Sequence, residues 1–351
     1  MKITELVNIH DYTRKPISKR KRSNLKGIYP YYGAQGIIDY INKYIFDGEY
    51  ILIAEDGNNL ISLNMPIAIL VKGKFWVNNH AHVVSVKKER IKPKYLLWLI
   101  NKINLREFIT GSAQPKLNLT NLSNITFKNL PNIKKQQRII DIIEPFEKLA
   151  EIYEKLIKLI NNLFSLITKL YSLQTKEKLL SYFNFIKGTE ISSSKRTKNI
   201  ENKLVKYIRV GDLTFNSERQ SLYCTKDNNF FCDYQDILLA TDGDPGRIMT
   251  GLNGVFSSSI RKVIPKTTNQ HLSIALLNLL NPINKEIFNA YTTGTTIKHG
   301  GNNAIKKLKY FEYDKHIKIL VKSLYENLTT LQNNLTKVIF IKKLLINKLI
   351  E

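Results

Sequence analysis

The sequence predicts an α+β protein in which two mixed α/β domains alternate with two long helices. Three observations lead there: the chain nearly repeats itself at half its length, each half opens on short strand-like runs, and each half closes on a long apolar heptad pattern.

The repeat governs the rest, since a missed period misassigns a whole fold. Glu49-Tyr50-Ile51-Leu52-Ile53-Ala54-Glu55-Asp56-Gly57 reads like Gln235-Asp236-Ile237-Leu238-Leu239-Ala240-Thr241-Asp242-Gly243, an offset of about 186. Thr110-Gly111-Ser112 reads like Thr293-Gly294-Thr295, an offset of about 183, and apolar helical stretches (95–108 and 272–291) lie just upstream of each. Within a unit, runs such as 50–54, 67–71, 75–77 and 82–86, then 205–210, 236–240 and 260–264, are bounded by Gly, Asn and Pro and read as strands. Asp242-Gly243-Asp244-Pro245-Gly246 is a turn cluster.

The helical segments carry the strongest pattern. One heptad row holds Ile139, Phe146, Tyr153, Ile160 and Ile167, and the row three residues on holds Ile142, Leu149, Leu156, Leu163 and Leu170. Flanking rows are apolar too: Ile152, Leu159, Leu166 and Leu173 on one side, Ile143, Ala150, Ile157, Phe164 and Tyr171 on the other. A two-stranded coil needs a narrower seam, so a face this wide implies further helices from a partner. The last segment repeats the plan with Ile317, Leu324, Leu331, Val338 and Leu345 beside Val321, Leu328, Leu335 and Leu349, and with Asn327 and Asn334 on its flank. Pro145 implies a short helix ending near Glu144 and a main helix reaching about Tyr182, roughly 55 Å at ~1.5 Å per residue.

Charge is the outlier of the composition. Fifty-four Lys and Arg against 29 Asp and Glu give +25, which implies a polyanionic partner, nucleic acid or an anionic membrane. AT-rich coding would raise Lys, but it would raise Glu as well, and Glu has not followed. No apolar run reaches the ~18–20 residues of a spanning helix, and Met1-Lys2-Ile3-Thr4-Glu5 lacks a signal-peptide core. Cys224 and Cys232 have no companions to make a zinc site, so a cytoplasmic chain with reduced thiols is expected.

Enzyme signatures are missing. There is no phosphate-binding G-x-x-x-x-G-K-[ST] loop and no G-x-G-x-x-G, and Asn281-Pro282-Ile283-Asn284 lacks the second proline and aromatic of a base-amine methyltransferase motif. Asp242 and Asp244 have no ordered carboxylate-x-Lys partner of a nuclease and read as turn formers. His80 and His82, two apart, have no visible third metal ligand and read as hydrogen-bonded histidines. The basic clusters do fit the charge: Lys19-Arg20-Lys21-Arg22, and Lys195-Arg196 with Lys198, lie early in each unit in loop-like stretches and are candidate phosphate contacts. Gln114, Lys116, Asn118 and Arg247 are candidate base contacts, with Lys298 and His299 beside the second Thr-Gly-Thr.

At the junction of unit and helix, Thr110-Gly111-Ser112-Ala113-Gln114-Pro115-Lys116-Leu117-Asn118, then Leu130-Pro131-Asn132-Ile133-Lys134-Lys135-Gln136-Gln137-Arg138-Ile139, resemble a target-recognition domain running into the conserved helix of Type I restriction–modification specificity subunits. Trp76-Val77-Asn78-Asn79-His80-Ala81-His82-Val83 is similar to that family's mid-domain strand, and order, spacing and duplication extend the resemblance to the whole chain. The second copy departs at Phe311-Glu312-Tyr313-Asp314-Lys315-His316, which replaces the Pro- and Gln-rich helix start and leaves the beginning of the second helix open. The resemblance implies recognition domains at 1–132 and 181–314 and helical spacers at 133–180 and 315–351, the helices paired as an antiparallel coiled coil with pseudo-twofold symmetry. It also implies a subunit without chemistry of its own that reads a split site in double-stranded DNA. Modification subunits, which hold S-adenosylmethionine, would dock on Ile139, Phe146, Tyr153, Ile160 and Ile167, on Leu149, Leu156 and Leu163, and on Leu324, Leu331, Val338 and Leu345, and a separate motor-nuclease subunit would cut. A stand-alone methyltransferase or nuclease with an unrecognised site is the competing reading, and a basic coiled-coil scaffold is a third. If the helices act as a ruler, inserting one heptad into both should lengthen the gap between half-sites in the methylation pattern. An unchanged gap would sink the ruler.

Overall fold

The buried run Ile51-Leu52-Ile53-Ala54 sits mid-sheet with a neighbour on each side, which is why it is apolar throughout instead of alternating. The computed structural model that shows this describes residues 1–57, 59–62, 66–111, 114–171, 173–198, 203–214, 221–292 and 300–350. The chain divides into two units, Met1–Glu147 with Ile341–Glu351, and Lys148–Phe340. Each unit therefore contains one domain and a segment of both long helices.

The first unit contains β1 (Val7–Ile9), β2 (Lys26–Gly33), β3 (Gly36–Ile41), β4 (Phe46–Ala54), β5 (Ala68–Val77) and β6 (Ala81–Val86) in one sheet of order β1-β6-β4-β5-β2-β3. All its pairs are antiparallel except β2 with β5. Its helices are α1 (Ile3–Leu6), α2 (Lys19–Ser23), α3 (Asn59–Ser62), α4 (Pro93–Lys102) and α5 (Leu119–Asn124), followed by the start of α6 (Ile133–Leu170). Proline at the first position of α4 costs no hydrogen bond there, and the helix buries Tyr95, Leu96, Leu99 and Ile100. They join Ile51 and Ile53 in one core, while Leu52 faces a second cluster with Phe46, Phe75 and Val83, as a two-residue period requires.

The second unit contains β7 (Leu173–Lys178), β8 (Phe183–Lys187), β9 (Leu204–Ile208), β10 (Leu222–Thr225), β11 (Phe231–Cys232), β12 (Ile237–Ala240), β13 (Ile248–Met249), β14 (Gly254–Phe256), β15 (Ile260–Pro265) and β16 (Lys309–Glu312). Its helices are α7 (Leu272–Leu280), α8 (Pro282–Tyr291) and α9 (Gly301–Ile305), with most of α10 (Lys315–Leu349). Its two main sheets have orders β13-β12-β15-β8 and β10-β9-β14-β11. Set end to end as β8-β15-β12 and β11-β14-β9-β10, they trace the first unit's sheet strand for strand, and β9 with β14 is again the parallel pair. The long β4 corresponds to β11 and β12 together. Four residues separate Phe46 from Ile51, but five separate Phe231 from Ile237, and the extra residue closes a turn in which Asp236 N–H donates to Asp233 O at 2.9 Å. The repeat extends to the edges: β7 pairs with β16, as Lys2 bridges Thr126 in the first unit.

The two long helices pair. In the first unit the opening turns of α6 (Ile139, Ile140, Ile143) share a core with Leu345, Ile346, Leu349 and Ile350 from the end of the chain, so the pairing is antiparallel. The most deeply buried row of α6 is Ile143, Ala150, Ile157 and Phe164, and in α10 it is Val321, Leu328 and Leu335. Ile139 and Ile167 are buried and Phe146, Leu149, Tyr153 and Ile160 half-buried, whereas Leu156 and Leu163 are exposed. Of the other α10 positions, Val338 is buried and Leu324, Leu331 and Leu345 are half-buried.

Two expectations about the helices need correction. Pro145 does not end a helix: α6 runs unbroken from Ile133 to Leu170. The carbonyl that Pro145 leaves without a donor belongs to Asp141, which is exposed and open to water, while Ile143 and Ala150 hold both sides of the proline in the apolar seam. The helix also stops at Leu170, because from Leu173 the chain is claimed as β7 by β16. The second helix starts at Lys315, where Asp314 Oδ1 accepts from Ile317 N–H at 2.9 Å as Asn132 Oδ1 does from Lys135 N–H, also at 2.9 Å.

In the second unit α10 is fixed to the domain by Gln332, whose Oε1 accepts from Thr250 Oγ1, and by Tyr325, whose hydroxyl donates to Gln235 O at 2.5 Å. Gly251 allows this approach: its φ is +79°, and a Cβ there would lie 2.3 Å from Gln332 Cβ. Gly251→Ala should therefore cost at least about 2 kcal/mol in urea unfolding, from left-handed strain plus overlap. A loss below about 0.5 kcal/mol would contradict this packing.

Candidate nucleic-acid interface

Each basic cluster is built on the same bracket. In the first unit Ser18 caps α2 with its Oγ accepting from Lys21 N–H, and Lys19, Arg20 and Lys21 are exposed. Arg22 turns inward: its guanidinium donates to Ile17 O at 2.5 Å, pairs with Asp39 at 3.2 Å and lies 4.8 Å over the Tyr31 ring. The Tyr31 hydroxyl accepts from Ile17 N–H at 2.8 Å. Hydrogen bonds from Lys26 first, then from the Tyr40 backbone and Arg22, pull the Asp39 carboxyl down to about 2.

The second unit repeats the arginine's three ties, to a carbonyl, a carboxylate and a tyrosine ring. Arg196 donates to Ile191 O, pairs with Glu190 and lies 4.6 Å over the Tyr207 ring, while Lys195 and Lys198 are exposed. Tyr31 on β2 and Tyr207 on β9 each have an antiparallel neighbour on one side and the parallel strand on the other. The sequence shows the match once the structure aligns it: Ile17-Ser18-Lys19-Arg20-Lys21-Arg22 against Ile191-Ser192-Ser193-Ser194-Lys195-Arg196. Ser18 and Ser192 have nearly the same backbone, φ −61°, ψ 152° and φ −62°, ψ 151°. Arg22 and Arg196 are thus committed to the fold, unlike the lysines beside them.

The Gln114–Asn118 stretch is held by a buried polar network that sequence reasoning missed. His82 is fully buried, with Nδ1 2.6 Å from Asp11 Oδ2 and Nε2 2.7 Å from Leu117 O. Arg14 joins Asp11 at 3.2 Å to Glu55 at 2.7 Å and donates to Ala81 O, and Lys116 reaches Glu55 at 3.3 Å. Burial pushes the Asp11 carboxyl up, but hydrogen bonds from His82 and the Val83 backbone and the charge of Arg14 leave it below its usual range. Gln114 and Lys116 stay exposed, whereas Asn118 is half-buried and caps α5 through Asn121 N–H at 2.8 Å.

The other candidates separate. Arg247 is paired with Asp244 in the β12–β13 turn, where Gly243 and Gly246 have φ of +77° and +89°. Lys298 and His299 lie outside the described residues. His80 pairs with Asp56 at 2.6 Å, apart from His82's partners, and among the described residues no group of three or more His, Cys, Asp or Glu is arranged to hold a metal. Both thiols are buried, and burial pushes Cys232 up to about 12.

Residues 1–162 match the family model of the Type I restriction modification DNA specificity domain. Over 95% of its length, the chain is 30% identical to the putative Type I restriction enzyme specificity subunit S.HindORF215P of Haemophilus influenzae, covering 88% of that protein. The chain belongs to the Type I restriction specificity subunits. A shorter stretch, 35% of the chain, is 31% identical to 29% of the EcoprrI specificity subunit of Escherichia coli. The fold is also that of the crystal structure of the Type I restriction–modification S subunit from M. genitalium, with a TM-score of 0.57, 13% identity, and coverage of 100% of this chain and 95% of that one.

In this specificity subunit the network fixes the recognition unit's interior. Asp11→Asn would take one of Arg14's two carboxylates and the carboxylate that faces His82 Nδ1, and should cost roughly 3 kcal/mol at neutral pH by urea unfolding. Because the Asp11 pKa is lower folded than unfolded, its contribution is complete above the usual carboxylate range and disappears as pH falls through the folded value. The variant should lack that part of the wild type's acid loss. Equal loss in both would show that Asp11 contributes nothing.

Proposed function

We propose that each unit of this specificity subunit reads one half of a bipartite site in double-stranded DNA, and that modification (methyltransferase) subunits dock on the paired helices. The chain itself performs no chemistry in this reading. The modification subunits bind S-adenosylmethionine, a motor-nuclease subunit joins them, and the assembly works in the cytoplasm. No described helix is long and apolar enough to cross a membrane, and double-stranded DNA is the polyanion that this reading assigns to the +25 charge.

The duplication carries the reading: one sheet order, one parallel pair and one Arg–Tyr bracket occur twice in a single chain. Two similar readers in one molecule suit a target in two specified parts. The helices support docking, for α6 still exposes Ile152, Leu159 and Leu166, one heptad row at 51, 56 and 51%. Gln114, Lys116, Lys19, Arg20, Lys298 and His299 remain candidate DNA contacts.

Binding of the purified chain to duplex DNA should weaken steeply, by a factor of at least about 10³ between 50 and 200 mM salt if six or more phosphates are contacted. Incubated alone with labelled S-adenosylmethionine, or with Mg²⁺ and DNA, the chain should show no turnover. Flat salt dependence would remove DNA as the partner of the charge, and methyl transfer or cleavage by the chain alone would refute a non-catalytic subunit.

A further inference from the structure

We propose that Lys21 and Lys195 are equivalent phosphate contacts, one in each recognition unit, each held in place by the arginine after it. The inference rests on the DNA-binding reading and says which cations of the basic clusters meet the backbone and which do not.

Four residues are identical between the two brackets, and the fold accounts for three. The isoleucines offer the carbonyl that the arginine takes, the serines start the turn with matching backbone angles, and the arginines lie over a tyrosine of the sheet. The lysine is the fourth. Its side chain is exposed in both units, and among the described residues no carboxylate pairs with either ammonium. Around it the copies have diverged: Lys19 and Arg20 stand where the second copy has Ser193 and Ser194, and the arginine's acidic partner is Asp39 on β3 in one unit and Glu190 ahead of the turn in the other. A cation kept in both copies, beside an apparatus that fixes its backbone, serves something outside the chain.

The adjoining arginine supplies the rigidity. Bound to a carbonyl five residues back, paired with a carboxylate and stacked on an aromatic ring, it is tied to the fold at three points. Its work is positional. It pins the turn so that the lysine presents its charge with less backbone entropy to lose on binding.

The test uses the full chain and a fluorescent mixed-sequence duplex of about 40 base pairs, titrated across a salt series. Lys21→Gln and Lys195→Gln should each make the slope of log K against log salt shallower by about 0.9, weaken binding roughly fivefold at 0.15 M salt, and act additively in the double variant. Lys21→Arg should restore the slope. Arg22→Lys keeps the charge but loses the bracket, so it should weaken binding, whereas Lys343→Gln on α10 should leave the slope unchanged. Melting temperatures of the lysine variants should match wild type, since both side chains are exposed. Wild-type slopes in either lysine variant, with the wild type itself salt-sensitive, would overturn the paired contacts and leave the DNA reading standing. A wild type that does not bind the duplex would overturn both.

Discussion

The apolar seam of the two long helices is the constraint on which everything else depends. Ile143, Ala150, Ile157 and Phe164 recur every seven residues, as do Val321, Leu328 and Leu335, and burying both rows requires one helix against the other. Each helix also serves a domain. In the first unit Gln136 of α6 accepts from Lys92 N–H at 2.8 Å and donates to Pro131 O at 2.8 Å, while Glu147 accepts from the Trp98 indole at 2.8 Å. In the second, Gln332 and Tyr325 of α10 perform the same task. Apolar rows hold helix to helix, and buried polar groups set each domain's register on its helix.

Within that frame the two domains have diverged in chemistry while keeping their plan. Ile53 pairs with His82 in the first sheet, and the matching Leu239 pairs with Arg261 in the second. Both side chains tie the strand to the segment that follows the Thr-Gly motif in sequence: His82 to Leu117 O, and Arg261 to Asn302 Oδ1 at 2.8 Å. The same joint is thus made by an imidazole in one copy and a guanidinium in the other. Such replacement is expected where only the connection is needed, and it sharpens the contrast with Lys21 and Lys195, which did not change.

Much of the architecture could be read from the sequence because its signals are periodic or local. The heptad rows, the strand run at 51–54, the Asp-Gly-Asp-Pro-Gly turn and the half-chain repeat all lie within short windows. The interactions that decide the site do not. Asp11 meets His82 across 71 residues and Arg14 meets Glu55 across 41, so nothing in either neighbourhood announces the pair. Arg22 looked like one more cation in a basic run, because the tyrosine under it belongs to the next strand. Pro145 misled for the opposite reason: a local rule was overridden by the seam on both sides of it. Only the spacing from Ile17 to Arg22, repeated from Ile191 to Arg196, could have revealed the bracket beforehand.

The claim that joins these observations is that one chain carries two readers for two halves of one DNA site. Mapping methylated bases across the genome of a cell that expresses this chain with a modification subunit tests it most directly. One motif should emerge, made of two specified halves separated by a gap of fixed length and unrestricted sequence, with modification lost when either half is altered. A single uninterrupted motif, or methylation indifferent to one of the halves, would contradict it.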